Sequence, residues 1–134
     1  MSVVKRFIHF TGVVLASTML VLSAGACQDP NDVRIRIRNA SDRDFDEVYV
    51  VAGGQPVTNG VYYGSVDAGD VSEFRAFASA YSYAYVRVTH GGQEYAFVPI
   101  DYVGETPLSA GNYTYVLGFS KSVPPQLTVS CLKD

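Results

Sequence analysis

Apolar and polar residues alternate along much of the chain after residue 27, and this alternation predicts short β-strands rather than helices. Residues 33–38 show it most clearly, because Val33, Ile35 and Ile37 fall on one face and arginines occupy the positions between them. A period of two is typical of a strand with one buried face. We expect this segment to be the first strand of a folded domain.

Seven further segments carry β signals, and turns rich in glycine, proline, asparagine or aspartate separate them. They are residues 45–51, 61–66, 71–77, 80–90, 93–98, 112–119 and 126–132. No helical period of useful length interrupts them, so the pattern predicts an all-β fold. We expect a single antiparallel β-sandwich over residues 33–134, immunoglobulin-like or transthyretin-like. The core candidates on its last two strands are Tyr113, Tyr115, Leu117, Phe119, Leu127, Val129 and Cys131.

Gly91-Gly92 lies between two β-rich runs and predicts a two-residue hairpin turn. Centring the turn there sets the register of the two strands. The resulting pairs are His90 with Gln93, Val88 with Tyr95, and Val86 with Phe97. The last two pairs are assigned to the core face. Arg87 then faces outward with Glu94 on its diagonal, which is a favourable cross-strand pair.

Counting back from Arg87 with a period of two places Tyr81, Tyr83 and Tyr85 on the same outward face. An exposed row of tyrosines is a candidate binding surface for sugar rings or for a partner protein, since tyrosine offers a large contact area at low entropic cost. The alternative is that the rings lie flat over the sheet or under a loop, with only their hydroxyl groups in water. The absence of tryptophan argues against a carbohydrate ligand.

The N-terminal segment has the three-part layout of a secretory signal. Lys5 and Arg6 precede residues 7–26, which contain no acid and no further Lys or Arg. Small residues before position 27 are those that a signal peptidase cleft accepts. An ordinary signal cut near Ala26 is one interpretation, and an uncut membrane helix of about 20 apolar residues is another. Either places the rest of the chain outside the inner membrane, because positive flanks stay in the cytoplasm.

A third interpretation follows from the run Ser23-Ala24-Gly25-Ala26-Cys27, which resembles a bacterial lipobox. The resemblance implies that a diacylglyceryl group is attached to the Cys27 thiol, that the chain is cut just before it, and that the new amine is acylated, for example with palmitate. Residues 1–26 are then a signal peptide, 27–32 a tether and 33–134 the sandwich domain. Two acyl chains suffice for stable membrane anchoring.

Charge narrows the range of partners. The mature chain from Cys27 to Asp134 would keep eight basic residues against 13 acids, a net charge near −5. An acidic domain is a poor partner for phosphate backbones, so the composition disfavours nucleic acid. It also disfavours electrostatic attraction to anionic lipids, which leaves the anchoring to the acyl chains.

Candidate chemistry is sparse, and we assign no catalytic residue, metal site or cofactor. His90 is the single histidine after residue 27 and falls at the predicted hairpin tip. Asp101 and Glu105 share a loop, and paired carboxylates could serve glycoside hydrolysis. Cys131 is expected to be a small core residue. A Cys27–Cys131 disulfide is the alternative if Cys27 carries no lipid.

Acidic residues cluster between positions 42 and 47, where a calcium loop would place oxygen ligands. The EF-hand glycine at position six is Glu47 here, and the glutamate at position twelve is Gly53. We therefore expect a solvated acidic turn that faces the arginines of the first strand. The residues concerned are Asp42, Asp44, Asp46 and Glu47 on one side, and Arg34, Arg36 and Arg38 on the other.

Several stretches together resemble small, mostly uncharacterised lipoproteins of Bacteroidetes-type bacteria. They are residues 39–45, 48–50, 63–64, 72–74, 81–85, 99–105 and 111–115. The resemblance implies a lipid-anchored envelope protein, held at the outer membrane on its periplasmic or surface face, and carries no activity. In such bacteria, acids shortly after the lipidated cysteine mark export to the surface, and Asp29 and Asp32 stand at such positions.

The sequence therefore predicts a non-enzymatic binding or interaction module attached to the membrane through lipid on Cys27. Its partner would be a glycan or an envelope protein. A structural or inhibitor-type periplasmic protein is the alternative, and a small glycoside hydrolase is a more distant one.

Overall fold

The computed structural model describes residues 31–134, and none of these residues is helical. Eight strands follow one another along the chain. They are β1 (Val33–Asn39), β2 (Phe45–Val51), β3 (Val61–Val66), β4 (Arg75–Phe77), β5 (Tyr85–His90), β6 (Gln93–Phe97), β7 (Gly111–Phe119) and β8 (Leu127–Lys133). No helix in this part of the chain has the length and apolar character needed to cross a membrane. The predicted signal peptide and most of the predicted tether, including Cys27, lie outside the described residues.

The strands form two four-stranded sheets, ordered β4-β1-β7-β8 and β3-β2-β5-β6. Side chains from the inner faces of both sheets pack into one core. The large aliphatic residues that are fully buried in this core are Ile35, Ile37, Val48, Val50, Val86, Val88 and Leu117. Burying one such side chain contributes about 1.5–3 kcal/mol. The β-sandwich predicted from the alternating pattern is confirmed.

One pairing departs from a purely antiparallel arrangement. β1 and β7 run parallel, from Val33 opposite Gly111 to Asn39 opposite Leu117. The other named strand pairs are antiparallel. Parallel pairing requires a long connection between the partners, and the intervening residues 40–110 supply one. As a result, β1 and β7 both begin at the same end of the sandwich.

The hairpin has the predicted register. Val88 pairs with Tyr95 and Val86 with Phe97, and the Arg87 Nε and Glu94 Oε1 atoms are 3.7 Å apart. Positive φ angles of 57° and 79° at the two turn glycines, Gly91 and Gly92, fit the type I′ geometry that favours glycine.

The predicted strand over residues 71–77 is shorter than expected, because β4 covers only Arg75–Phe77. Val71 forms a single bridge with Arg38. Next to it, the Ser72 hydroxyl oxygen accepts a hydrogen bond from the Ile37 amide at 2.8 Å, and the Ser72 amide donates to the Ile37 carbonyl. The Ser72 hydroxyl thus replaces one of the backbone carbonyls that a longer β4 would pair with this edge of β1.

The predicted contact between the acidic turn and the β1 arginines is wrong. Among the described residues, the arginines of β1 form one ion pair, between Arg36 and Asp134 at 3.1 Å. Arg34 and Arg36 also lie over the ring of Phe74, 5.4 and 5.0 Å from its centre. Arg34 and Arg36 therefore contact an aromatic ring and the C-terminal residue, which are both remote in sequence, instead of the acidic turn.

Candidate binding surface

The two ends of the sandwich have different connections. We call one the loop end: it holds residues 52–60, 78–84 and 98–110, together with the start of β1. We call the other the turn end: it holds residues 40–44, 67–74, 91–92 and 120–126. The predicted tyrosine row belongs to the loop end, because Tyr85 is the first residue of β5 and Tyr81 and Tyr83 precede that strand.

Three tyrosines at the loop end form a stack of rings, which we call the tyrosine stack. Tyr102 lies between the other two: its ring centre is 4.8 Å from that of Tyr81, with planes 28° apart, and 5.3 Å from that of Tyr83, with planes 12° apart. Phe97 meets the edge of Tyr83 at 6.4 Å. Stacked aromatic pairs contribute about 0.5–1.5 kcal/mol beyond their burial.

The stack differs from the row expected from the sequence. Residues 80–84 are irregular rather than part of β5, so the period of two does not extend over them as a strand. Ala80 and Ala84 are nevertheless buried, opposite half-buried tyrosines. Tyr102, which the sequence analysis did not single out, enters between Tyr81 and Tyr83 from loop 98–110. The rings thus lie under a loop, the alternative arrangement considered for them, and their role in binding stays a prediction.

The backbone around the stack leaves room for it. A Cβ atom on Gly53 would lie 2.5 Å from Cδ2 of Tyr81 and 3.1 Å from Cε1 of Tyr102. From below, the buried Tyr115 hydroxyl donates a hydrogen bond to the Tyr81 carbonyl. The Leu108 amide donates to the Ala80 carbonyl at 2.8 Å, which joins two of the three loops. These contacts fix the stack to the end of the core.

Exposed aliphatic side chains surround the stack, and we call them the apolar rim: Val57, Val98, Ile100 and Val103. Their exposed fractions are 54%, 67%, 99% and 87%. An open cavity of about 490 Å³ lies between Tyr83, Phe97 and Ile100. A smaller one of about 160 Å³ brings Val57, Val98 and Tyr102 together with Tyr85. Val98 lines both cavities, so they join Val57, Val98 and Ile100 of the rim to Tyr83, Tyr85 and Tyr102 in one continuous surface.

The phenols of Tyr83 and Tyr102 are neutral at physiological pH, because the pKa of each is raised. Burial raises the pKa of Tyr83, and the carboxylates of Glu105 and Asp101 raise it further. Burial also raises the pKa of Tyr102, with a smaller contribution from Tyr83. The Tyr83 hydroxyl donates to the Asp101 carbonyl at 3.1 Å. A neutral phenol is a weak nucleophile and base, so the arrangement is suited to contact rather than to covalent chemistry.

The two loop carboxylates considered for hydrolysis take part in this local structure. Oδ1 of Asp101 accepts a hydrogen bond from the Val103 amide at 3.1 Å. The Glu105 amide donates to the Tyr102 carbonyl at 3.1 Å. Both interactions shape the loop that carries Tyr102 and the rim.

The acidic turn and His90 belong to the turn end, where they hold neighbouring turns together. Asp44 Oδ1 accepts from the Ala68 amide at 2.8 Å, and Asp46 Oδ2 accepts from the Gly91 amide at 2.9 Å. His90 Nδ1 lies 2.7 Å from the Asp44 carbonyl, and since a carbonyl only accepts, this nitrogen is the donor. Within residues 31–134, no group of three His, Cys, Asp or Glu side chains could hold a metal ion.

Cys131 is half-buried, packs against the core and has no disulfide partner within residues 31–134. Burial raises its pKa, and Asp134 raises it further, so the thiol is less reactive than an ordinary cysteine. This matches its expected role as a small core residue. The alternative disulfide involves Cys27, which lies outside the described residues.

A groove that the sequence analysis did not identify separates the edge strands β6 and β8. Its volume is about 600 Å³, and Tyr95, Phe97 and Leu127 contribute apolar side chains to its lining. Both strands are at the edge of their sheets, so each leaves backbone groups unpaired along the groove. Sequence patterns do not reveal such a feature, because the two strands come from different sheets.

No model of a protein family matches this chain, and no curated protein matches its sequence. Among solved structures, an NMR structure of a protein from Eubacterium rectale is similar, with a TM-score of 0.55 and 13% identity. The similarity covers 78% of this chain and 94% of that one. At this identity, the likeness extends to the fold and not to function.

Proposed function

We propose that this chain is a cell-envelope lipoprotein, anchored to its membrane through lipid on Cys27, and that its β-sandwich is a non-enzymatic binding module. The layout of Lys5, Arg6 and residues 7–26, followed by the lipobox-like run that ends at Cys27, supports the anchor. The outer membrane is the expected site, on its periplasmic or surface face.

The apolar rim is the observation that carries the binding role. Four exposed aliphatic side chains cluster around stacked tyrosines at one end of the domain. Contiguous exposed apolar surface marks interaction sites in soluble domains. The loop end is therefore the binding surface, and it includes the three tyrosines singled out from the sequence, Tyr81, Tyr83 and Tyr85.

The geometry favours an apolar partner over a glycan at this surface. A sugar ring stacks on an open aromatic face, but Tyr102 covers one face of both Tyr81 and Tyr83. The most exposed of the large apolar side chains at the loop end are instead Ile100 and Val103. Aliphatic side chains offer a sugar neither a flat ring nor hydrogen bonds.

The anchor is tested by the variant Cys27→Ala, with radiolabelled fatty acid fed to cells that express each protein. We expect wild type to take up label and to remain in the membrane fraction, and the variant to be released in soluble form. Cys131→Ala is the matched control, since it removes the other thiol and leaves the lipidation site intact. Wild type without label, or a variant that stays in the membrane, would contradict the anchor.

A structural or inhibitor-type periplasmic protein is the second candidate, and the groove between β6 and β8 favours it. An extended peptide can add to an exposed sheet edge through main-chain hydrogen bonds. Capture of envelope proteins with wild type and with Ile100→Asp separates the two. A partner lost in the variant binds at the loop end, whereas a partner retained by it points to the groove.

A further inference from the structure

The position of the first strand determines which end of the sandwich the anchor holds. Only six residue steps separate Cys27 from Val33, so the connection spans at most about 20 Å. β1 starts at the loop end and rises about 3.3 Å per residue. Over its seven residues, it therefore carries the turn end roughly 20 Å further from the anchor than the loop end.

We propose that the loop end docks into the interfacial layer of the bilayer that holds the anchor. Ile100, Val103, Val98 and Val57 reach toward the acyl boundary, and the tyrosine stack lies at the level of the headgroups. This inference rests on the proposed anchoring at Cys27. It identifies the partner of the apolar rim as the membrane surface itself.

The chemistry of the loop end fits such an interface. Tyrosine pairs an apolar ring with a polar hydroxyl group and is enriched where membrane meets water. The three loops carry two charged residues, Asp101 and Glu105, and the chain segments beside them at this end add Asp32, Lys133 and Asp134, so acids predominate there. Docking therefore depends on apolar contact and not on anionic lipids, so it should be insensitive to salt.

Membrane docking by the apolar rim depends on the lipid anchor. Four aliphatic side chains form a small membrane contact, and they bind weakly when the protein is free in solution. A short tether converts that contact into an intramolecular one with a high effective concentration. Docking is then expected for the anchored protein and largely lost when the anchor is absent.

Site-directed spin labelling measures this orientation. The full chain is produced with Cys131→Ser and one new cysteine, Ile100→Cys, and is reconstituted into phosphatidylethanolamine–phosphatidylcholine vesicles. Val123→Cys is the matched control, since Val123 is also aliphatic, is 97% exposed and lies at the turn end. Each nitroxide is tested against apolar oxygen and a water-soluble nickel complex.

We expect the label at position 100 to be open to oxygen and shielded from nickel, and the label at position 123 to show the reverse, at low and at high salt. Equal, water-like values at both positions on protein with a confirmed acyl mass would overturn the docking and leave the anchor standing. Protein without an acyl mass would overturn the anchor and the docking together. Shielding at position 100 from both probes would also overturn the docking, because it indicates a protein partner.

A second pair of variants separates docking from folding. Ile100→Asp combined with Val103→Asp should remain in the membrane through the lipid and keep its melting temperature, since both side chains are exposed. It should lose most of the quenching of tyrosine fluorescence by brominated lipids. Val123→Asp should keep that quenching. Equal quenching in all three proteins would contradict the proposed orientation.

Discussion

The two ends of the sandwich differ in how their polar residues are used. The four turns of the turn end contain seven charged residues in 22 positions, whereas the three loops of the loop end contain two in 29. At the turn end, Asp44 and Asp46 bind backbone amides of neighbouring turns. At the loop end, stacked rings hold the loops together and aliphatic side chains remain exposed.

The two ends also differ in whether a cation lies over their aromatic rings. Near the turn end, the guanidinium of Arg43 covers Phe119 and Tyr95, 4.6 and 5.5 Å from the ring centres. Among the described residues, no such cation lies over the tyrosine stack. The turn end therefore presents charge to the solvent, and the loop end presents apolar surface. This difference is the basis for proposing the loop end as the binding surface.

Alkaline pH should give the largest effect. Burial raises the pKa of Tyr63 and Tyr115 well above their ordinary value, so the folded state holds these protons more tightly than the unfolded state. The resulting stabilisation is complete below a pH of about 10 and is lost as the pH rises, by about 1.4 kcal/mol per unit and group. Phenolate absorbance should show Tyr63 and Tyr115 ionising only as the protein unfolds.

The loop end depends on one of these two groups, because the Tyr115 hydroxyl donates a hydrogen bond to the Tyr81 carbonyl. Tyr115→Phe and Tyr63→Phe should each shift the alkaline midpoint upward. If every tyrosine ionises in one step near its ordinary pKa while the far-UV spectrum is unchanged, the burial assigned to these rings is wrong.

Asn39→Ala should cause the largest loss among changes at the turn end. Asn39 is fully buried, and its amide nitrogen donates to the carbonyls of Arg43 and Val66 while its oxygen accepts from Ser41. Removing it leaves buried polar groups unpaired, at a cost of about 3 kcal/mol. Urea denaturation measures the change. Asn59→Ala is the control, since Asn59 is exposed, and a loss there of similar size would remove the special role of Asn39.

Gly53→Val tests the loop end in the same way. Its side chain would enter the space of the Tyr81 ring, and we expect a cost of about 1–2 kcal/mol together with loss of the near-UV signal of the stack. Gly54→Asn is the matched control, because open space surrounds Gly54 and asparagine tolerates its positive φ of 79°. An unchanged near-UV spectrum in Gly53→Val would argue against the stack.

Glu94→Gln should have the smallest effect. The ion pair with Arg87 is long, and the Glu94 side chain is 65% exposed. Pairs of this kind contribute about 0.5 kcal/mol or less. If the urea midpoint of Glu94→Gln falls as far as that of Gly53→Val, this exposed ion pair contributes more to the stability of the fold than expected.

Sequence patterns predicted the structural features that a few consecutive residues determine, such as the buried face of a strand and the register of a hairpin. The alternation in residues 33–38 placed Val33, Ile35 and Ile37 in the core, and Gly91-Gly92 fixed the hairpin register, including the pairing of Val86 with Phe97. The Asn39-Ala40-Ser41 turn likewise depends on adjacent residues, since the Ser41 amide donates to Asn39 Oδ1. These features depend on a few consecutive residues.

Contacts between distant segments escaped prediction. The parallel pairing of β1 with β7, the ion pair of Arg36 with Asp134 and the entry of Tyr102 into the stack each join residues far apart in sequence. Periodicity says which face a residue takes and not which strand or loop covers it. The sequence therefore singled out Tyr81, Tyr83 and Tyr85 as candidates, but it revealed neither their stacking with Tyr102 nor the apolar rim.

Mass spectrometry of the mature N-terminus tests the account most directly. We predict a chain that begins at Cys27 and carries a diacylglyceryl group on its thiol, with Cys131 as a free thiol. An N-terminal peptide without acyl mass, or a disulfide between Cys27 and Cys131, would contradict it.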